Sequence, residues 1–448
     1  MPKKKLETQH NARETISVRD PLYGFVELNP VEIKLLETSL MQRLTRIKQL
    51  GHTSIVYPSA VHTRFEHSLG VLHIASRTCD RLQVPKEEKI AIRSAALLHD
   101  LGHGPFSHIF ERVLGECTDG EWSHEDVTCL MIERTPSISE ALGRGKKKVL
   151  EILKGDRFGI DRDIVSGPLD ADKLDYLRRD SYHTGVAYGV FDIERVLYSI
   201  CKIQTKERDY LGLTEKGQDA IESYRLARYL MHANVYEHHA RLIADDMFLR
   251  AIHIAVQQND IEKDSLNPNK DEERFLDFYE GLDDHSIEHL LLKKSKGRAK
   301  TIIQKVRDRD LFKRAYMTKL SADSIRDYAK RSEILNMERD QVTKKEEEIA
   351  SRVGISSDDV IVHLQNIKIK LYERFQSLKP TEDESPILIR RGDGSIGSLE
   401  EESPIRSVLE NINRLYVFAP EDSEKEVHDA AEDIFGVPSL FDPKRLKR

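Results

Sequence analysis

The sequence predicts a mainly α protein with a smaller α+β lobe toward its C-terminal end. Three observations carry this prediction. From about Ile16 the chain reads as mostly helical, with few strand-like alternations. Residues 87–99 form the clearest amphipathic helix, with Ile90, Ile92, Ala95, Ala96 and Leu98 marking its buried side. β-like segments gather late, at Ile387–Arg390 and Leu415–Ala419.

Residues 1–15 are polar and are expected to form a disordered tail. The 87–99 helix delivers His99-Asp100 at its end. Gly102, Gly104 and Pro105 then break it, and Pro105 is suited to open the next helix, expected over 106–114, at its first position. That second helix would carry His108 and Glu111 on adjacent turns. Further on, Asp172, Tyr176 and Asp180 fall at i, i+4 and i+8, with Lys173 at the edge of their face. Arg228, His232, Tyr236 and His239 fall at i, i+4, i+8 and i+11, again one helical face.

Near residue 260 the composition turns polar and then basic. Residues 291–320 hold eleven Lys or Arg against two Asp. This shift divides the chain into a tail (1–15), a core (16–260) and a C-terminal helical and small α+β region (261–448) suited to regulation or oligomerisation. Within the last region, 335–350 is charged and helix-prone. The Gly392-Asp393-Gly394 turn, the Ser403-Pro404-Ile405 stretch and Leu415–Ala419 suggest the small lobe. No internal repeat is visible.

Composition narrows the class. The 448 residues are 39% hydrophobic and 33% charged, enough for a core beneath a heavily charged exterior. A net charge of −7 gives no global reason to expect nucleic-acid binding. The four cysteines (Cys79, Cys117, Cys129, Cys201) lack CxxC spacing, so they read as small buried apolar residues of a reduced, cytoplasmic protein. No secretory leader and no run of about 18 apolar residues is present, so no membrane role is expected.

The chemistry lies in residues 64–108. Arg64-Phe65-Glu66-His67 is followed, 32 residues after that histidine, by His99-Asp100-Leu101-Gly102-His103-Gly104-Pro105-Phe106-Ser107-His108. Two neutral imidazoles and a carboxylate suit a divalent transition metal rather than calcium. One more carboxylate would complete a four-ligand site with open positions, and Asp172 is the candidate. Burying His99-Asp100 unpaired beside Leu97-Leu98 would cost several kcal/mol, which argues that the pair is used. His10, His52, His62, His73, His253, His285, His289, His363 and His428 read as surface or satisfied core residues.

The motif His…His-Asp…Asp, with Asp20-Pro21…Gly24, Gln42-Arg43-Leu44 through Gln49-Leu50-Gly51, His62–Gly70, His99–His108 and Asp170–Asp180 in order, resembles the HD-domain deoxynucleoside triphosphate triphosphohydrolase family. It is similar to the catalytic core of the sterile-alpha-motif and HD-domain dNTPase and its prokaryotic homologues, over about Val18 to Asp246 and more loosely to about Lys319. No sterile-alpha-motif module fits before Ile16.

The resemblance implies an HD-domain helical metal phosphohydrolase core. It implies one divalent ion (Mn, Mg, Fe or Zn) on His67, His99, Asp100 and Asp172, with room for a second Mg²⁺ accompanying the substrate triphosphate. Arg64, His103 and His124 match residues facing the α-phosphate, and His108, paired with Glu111, matches a general acid for O5′. Lys173, Tyr176 and Arg228 match the grip on the β- and γ-phosphates. Gln49, beside Leu50 in the substrate-binding group, and Asp180 match partners of the sugar 3′-hydroxyl. Tyr236 would crowd C2′, with His232 nearby.

Arg195, Arg309 and Lys313 match residues that hold the phosphates of a regulatory nucleotide. Glu37 and Thr45 stand where the animal enzyme reads its guanine activator with Asp and Arg. Thr45 offers no forked donors, which speaks against guanine-specific activation. The partners implied are dNTP substrates, an activator nucleotide and further copies of the chain as a dimer or tetramer. Nucleic acid is not favoured. The alternatives are an HD-type phosphodiesterase or single-strand nuclease using the same metal chemistry, and a nucleotide-sensing binding module.

Overall fold

The computed structural model describes residues 15–118, 120, 122–155, 159–206, 208–367, 387–399, 403 and 411–441. The expected disordered tail, up to residue 14, and the Pro404-Ile405 pair lie outside the described residues. Among the described residues helices make up most of the architecture, and three small sheets accompany them.

The chain opens on a hairpin where helix was expected. β1 (Ile16–Asp20) pairs antiparallel with β2 (Gly24–Leu28), Val18 opposite Val26. Asp20 makes the turn by accepting the Leu22 and Tyr23 N–H groups, and Gly24 supplies a φ of +79°. Each strand spans five residues. That is under two helical turns, too short for the sequence to separate a period of 2 from one of 3.6.

The site is built on α1 (Arg64–Arg81), α2 (Lys86–Leu98), α3 (His108–Cys117), α4 (His124–Arg134) and α5 (Ala171–Thr184). α1 packs against both α2 and α5. On α2, Ile92, Ala95, Ala96, Leu97 and Leu98 are fully buried, so the apolar stripe fixes the helix and His99 caps its end.

Pro105 does not open the next helix. Residues 105–107 form a turn, Phe106 and Ser107 have positive φ, and α3 begins at His108. Tertiary contacts hold this backbone against its local preference. Asp284 accepts the Phe106 N–H at 2.7 Å, the Phe106 ring stacks on His52 at 4.3 Å, and the Ser107 hydroxyl donates to the Lys48 carbonyl at 3.0 Å.

The second predicted stripe is also interrupted. α6 (Gln218–Met231) carries Arg228, His232–Tyr236 is a π-helical turn, and His239 starts α7 (His239–Gln257). The helix breaks at residues 237–238, so His239 belongs to the next helix rather than to the run of Arg228, His232 and Tyr236.

The apolar core continues past 260 through Leu266, Phe275, Tyr279, Leu291 and Ile302 to Phe312. The composition shift there is a change of surface, not the end of the core. The basic 291–320 stretch is divided among the end of α8 (Asp284–Lys294), α9 (Gly297–Arg307) and β5 (Lys313–Lys319). Several of its cations face carboxylates: Arg298 on Asp359, Lys305 on Asp310, Lys313 on Glu421.

β3 (Ile200–Gln204), β4 (Asp209–Thr214), β7 (Leu388–Arg390) and β8 (Ile396–Ser398) form one sheet, with β4 parallel to β7. Ile387–Arg390 therefore belongs beside 200–214 rather than in the tail lobe. That lobe is the sheet β5-β9-β6, with β6 at Ile361–Ile367 and β9 at Ile412–Ala419, backed by α10 (Arg339–Val353) and α11 (Glu424–Phe435) over its own apolar cluster. It docks beside the site through His363 on Asp246 (2.6 Å) and Gln365 on Glu237 (2.6 Å).

Candidate active site

Three helix ends converge. Glu66 accepts the Thr63 N–H at 2.6 Å and so starts α1, placing Arg64 and His67 three residues apart on its first turn. The end of α2 presents His99 and Asp100. Asp170 caps α5 by accepting the Lys173 N–H at 2.7 Å, which sets Asp172 in the first turn, where the helix dipole favours a carboxylate.

His67, His99 and Asp172 bring their ligand atoms within 4.8 Å of one another. Asp172 Oδ1 lies 2.9 Å from His67 Nε2 and 3.7 Å from His99 Nε2. Asp100 completes the set, 3.6 Å from His67 Nε2 and 3.3 Å from His99 Nε2.

The donor set fits a divalent metal. His67 Nδ1 is committed to Asp175 (2.8 Å) and His99 Nδ1 to the Ala96 carbonyl (2.9 Å), which turns both Nε2 lone pairs inward. His99 Nε2 is buried and has no hydrogen-bond partner among the described residues. Burial opposes charge on His67, yet Asp172, Asp175 and Asp100 outweigh it and raise its pKa to about 10. A divalent cation would replace that proton.

Asp175 was not singled out from the sequence, although its i+3 spacing from Asp172 was the available signal. It accepts from Arg179 at 2.8 Å, and Arg179 reaches Asp20 at 2.9 Å, which gives the Asp20-Pro21 block a structural reason. α1 and α5 approach closely enough that a Cβ on Gly70 would lie 1.9 Å from Asp175 Oδ1.

The backbone after His99 is pinned from afar. Thr128 donates to the His99 carbonyl and accepts the Gly102 N–H, and Tyr279 donates to the Gly102 carbonyl. The buried Arg43 donates to the Leu101 and Leu282 carbonyls.

Beside the metal set, Arg64 donates to Asp100 at 2.6 Å and to Ser107 at 3.0 Å. His103 lies 3.3 Å from Asp100 and stacks on His124 with ring centroids 3.8 Å apart. Glu111 bridges two imidazoles, 2.7 Å to His124 Nδ1 and 3.1 Å to His108 Nδ1. Burial works against its charge, but His108 and His124 hold its carboxyl well below the usual range. Burial, Arg64 and His124 push His103 well below its ordinary pKa, so it stays neutral. Burial opposes charge on His124, but Glu111 raises its pKa. His108 keeps 64% of its side chain exposed and opens to the cavity.

That cavity measures about 1100 Å³. Gln49, Leu50, Arg64, His99, Asp100, His103, His108, His124, Asp172, Lys173, Tyr176, Asp180, Arg228, His232 and Tyr236 line it; Glu111 and His67 lie just behind. Lys173 Nζ reaches Asp170 at 2.7 Å and the Gly167 carbonyl at 3.2 Å. Gln49 Oε1 is buried without a partner. Tyr236 donates to Asp180 at 2.7 Å, and Asp180 also meets His62 Nε2 at 2.7 Å. His62, read from the sequence as an ordinary histidine, is thus a buried neighbour of the site.

The three residues matched to a regulatory nucleotide each have their own neighbours. Arg195 lies in a groove with Arg77 and Arg81, Arg309 donates to the Ile55 carbonyl, and Lys313 faces Glu421.

Among known families, the HD domain matches residues 64–180 and the HD associated region matches 191–445. An uncharacterised protein of Methanocaldococcus jannaschii is 39% identical over 260 residues, 56% of this chain and 52% of that protein. The deoxynucleoside triphosphate triphosphohydrolase SAMHD1 homolog of Dictyostelium discoideum is 29% identical over 343 residues, 71% of this chain and 64% of that protein. The chain thus spans about half to two thirds of the length of these curated relatives. The crystal structure of a phosphohydrolase from Bacteroides thetaiotaomicron superposes with a TM-score of 0.70 at 27% identity, covering 91% of this chain and 100% of that one. None of the helices among the described residues is long and apolar enough to cross a membrane.

Proposed function

We propose, starting from the fact that this chain belongs to the HD-domain phosphohydrolase family with its HD associated region, that it is a dNTP triphosphohydrolase. Water and a dNTP would give a deoxynucleoside and inorganic triphosphate. One observation carries the reading: a single cavity brings the His67, His99, Asp100 and Asp172 set together with Lys173, Tyr176 and Arg228 and with Gln49, Asp180 and Tyr236. The first set suits an α-phosphate, the second the phosphates beyond it, and the third a sugar.

His67, His99, Asp100 and Asp172 would hold the divalent ion, which when bound supplies Lewis-acid polarisation of the α-phosphate and a lowered pKa for attacking water. Arg64 and the neutral His103 orient the α-phosphate oxygens. As the bond from O5′ to the α-phosphorus breaks, His108 delivers a proton to O5′, and Glu111 holds that imidazole in place. Lys173 and Arg228 bind the outer phosphates, Arg by its fork and Lys as a point charge. Gln49 and Asp180 bind the 3′-hydroxyl. The Tyr236 ring, held by its bond to Asp180, closes the space beside C2′.

The test is a product assay on the purified protein with Mn²⁺ or Mg²⁺ and each of the four dNTPs. Deoxynucleoside and triphosphate are expected, and pyrophosphate with dNMP would defeat the reading. Sugar choice gives a second readout. Tyr236→Ala should narrow the dNTP-to-NTP ratio of kcat/KM, chiefly by admitting NTP. A 2′,3′-dideoxy substrate should suffer more than NTP does in that variant, because a polar site rejects a missing hydrogen-bond group more strongly than an apolar wall rejects an added one.

A further inference from the structure

Among the described residues the polar and ring contacts of His62 go to Asp180, Gln49 and His183 rather than to the metal set or the phosphate-binding residues, and through them it joins all three groups assigned above to the sugar. Its backbone carbonyl accepts the Gln49 N–H at 3.0 Å. Its Nε2 lies 2.7 Å from Asp180 Oδ1, and the other oxygen of Asp180 accepts the Tyr236 hydroxyl at 2.7 Å. The imidazole is fully buried and stacks on His183, with ring centroids 4.3 Å apart and planes 13° from parallel. With a carboxylate opposite, Nε2 is the donor; Nδ1 is buried and has no hydrogen-bond partner among the described residues. A ring held by stacking on one side and by a carboxylate at its tip has one available orientation.

We propose that His62 is the positioning residue of the deoxyribose subsite. Resting on the functional reading above, it fixes the Asp180 carboxylate, and through it the Tyr236 ring, so that the wall beside C2′ is rigid. Steric exclusion of one hydroxyl needs such rigidity, because a mobile phenol swings aside and admits the ribose. The line from His62 through Asp180 to Tyr236 crosses three elements: the loop before α1, α5 and the π turn after α6.

The test uses the full chain with Mn²⁺ and four proteins: wild type, His62→Phe, His62→Gln and Tyr236→Phe. His62→Phe keeps the ring and its stack on His183 but removes the donor. It should retain metal and most of kcat for dATP, raise KM, and lower the dATP-to-ATP ratio of kcat/KM by about 10- to 100-fold. His62→Gln restores a donor and should recover most of the ratio, which a purely structural role would not predict. Tyr236→Phe should lower the ratio similarly, and combining it with His62→Phe should add little.

A discriminating wild type with an unchanged ratio in His62→Phe overturns the inference alone. A wild type that cleaves ATP as readily as dATP overturns both the inference and the functional reading beneath it. Should His62→Phe fail to fold, Tyr236→Phe decides, since an unchanged ratio there removes the only route by which His62 could act on the wall.

Discussion

Asp172→Ala and His99→Ala each yield a folded protein that has lost stoichiometric metal and turns over on the order of 10³-fold more slowly or worse. The expectation of an intact fold is physical. Asp172 keeps 31% of its side chain exposed in the first turn of α5, and His99 sits after the last residue of α2, outside the stripe formed by Ile92, Ala95, Leu97 and Leu98. Removing His99 takes from the Ala96 carbonyl its 2.9 Å bond to Nδ1, a single hydrogen bond worth about 1 kcal/mol and too little to unfold the protein. Metal analysis by mass spectrometry beside urea unfolding separates the two effects. Stoichiometric metal retained in both variants would show that the ligands lie elsewhere.

His108→Ala should slow turnover by about 10²–10⁴-fold while dNTP binding persists, the range expected on losing a general acid. Stability should barely change, because 64% of this side chain is exposed and its one carboxylate partner, Glu111, keeps His124 at 2.7 Å. Single-turnover kinetics on each variant, with binding measured separately at equilibrium, distinguishes lost proton transfer from lost affinity. Wild-type rates in His108→Ala would move the proton donor to another group. His124 would then be the next candidate, since it lines the same cavity and shares Glu111.

These predictions rest on residues that differ in how readily the sequence reveals them. The candidate ligands His67, His99, Asp100 and Asp172 are visible because a histidine, a His-Asp pair at an expected helix end and a further Asp can be singled out with no knowledge of distant contacts. The same holds for α2, whose thirteen residues give the helical period room to declare itself. The N-terminal hairpin, five residues to a strand, does not.

The contacts hidden from the sequence join partners far apart in the chain. Asp175 meets His67 across 108 residues, His62 meets Asp180 across 118, and Asp284 holds the Phe106 N–H across 178. No periodicity spans such separations. A histidine destined for a buried carboxylate looks, in sequence, like any other histidine. The turn at 105–107 shows the same limit from the other side. Pro105 locally favours a helix start, but the bonds from Asp284 and Lys48 and the stack on His52 select a positive-φ backbone instead. Local pattern is enough to specify a mainly α protein and the candidate ligand residues at its helix ends. Folding alone decided which distant carboxylates and imidazoles orient those ligands and close the cavity around them, because those choices depend on burial and geometry that exist only once the helices have packed.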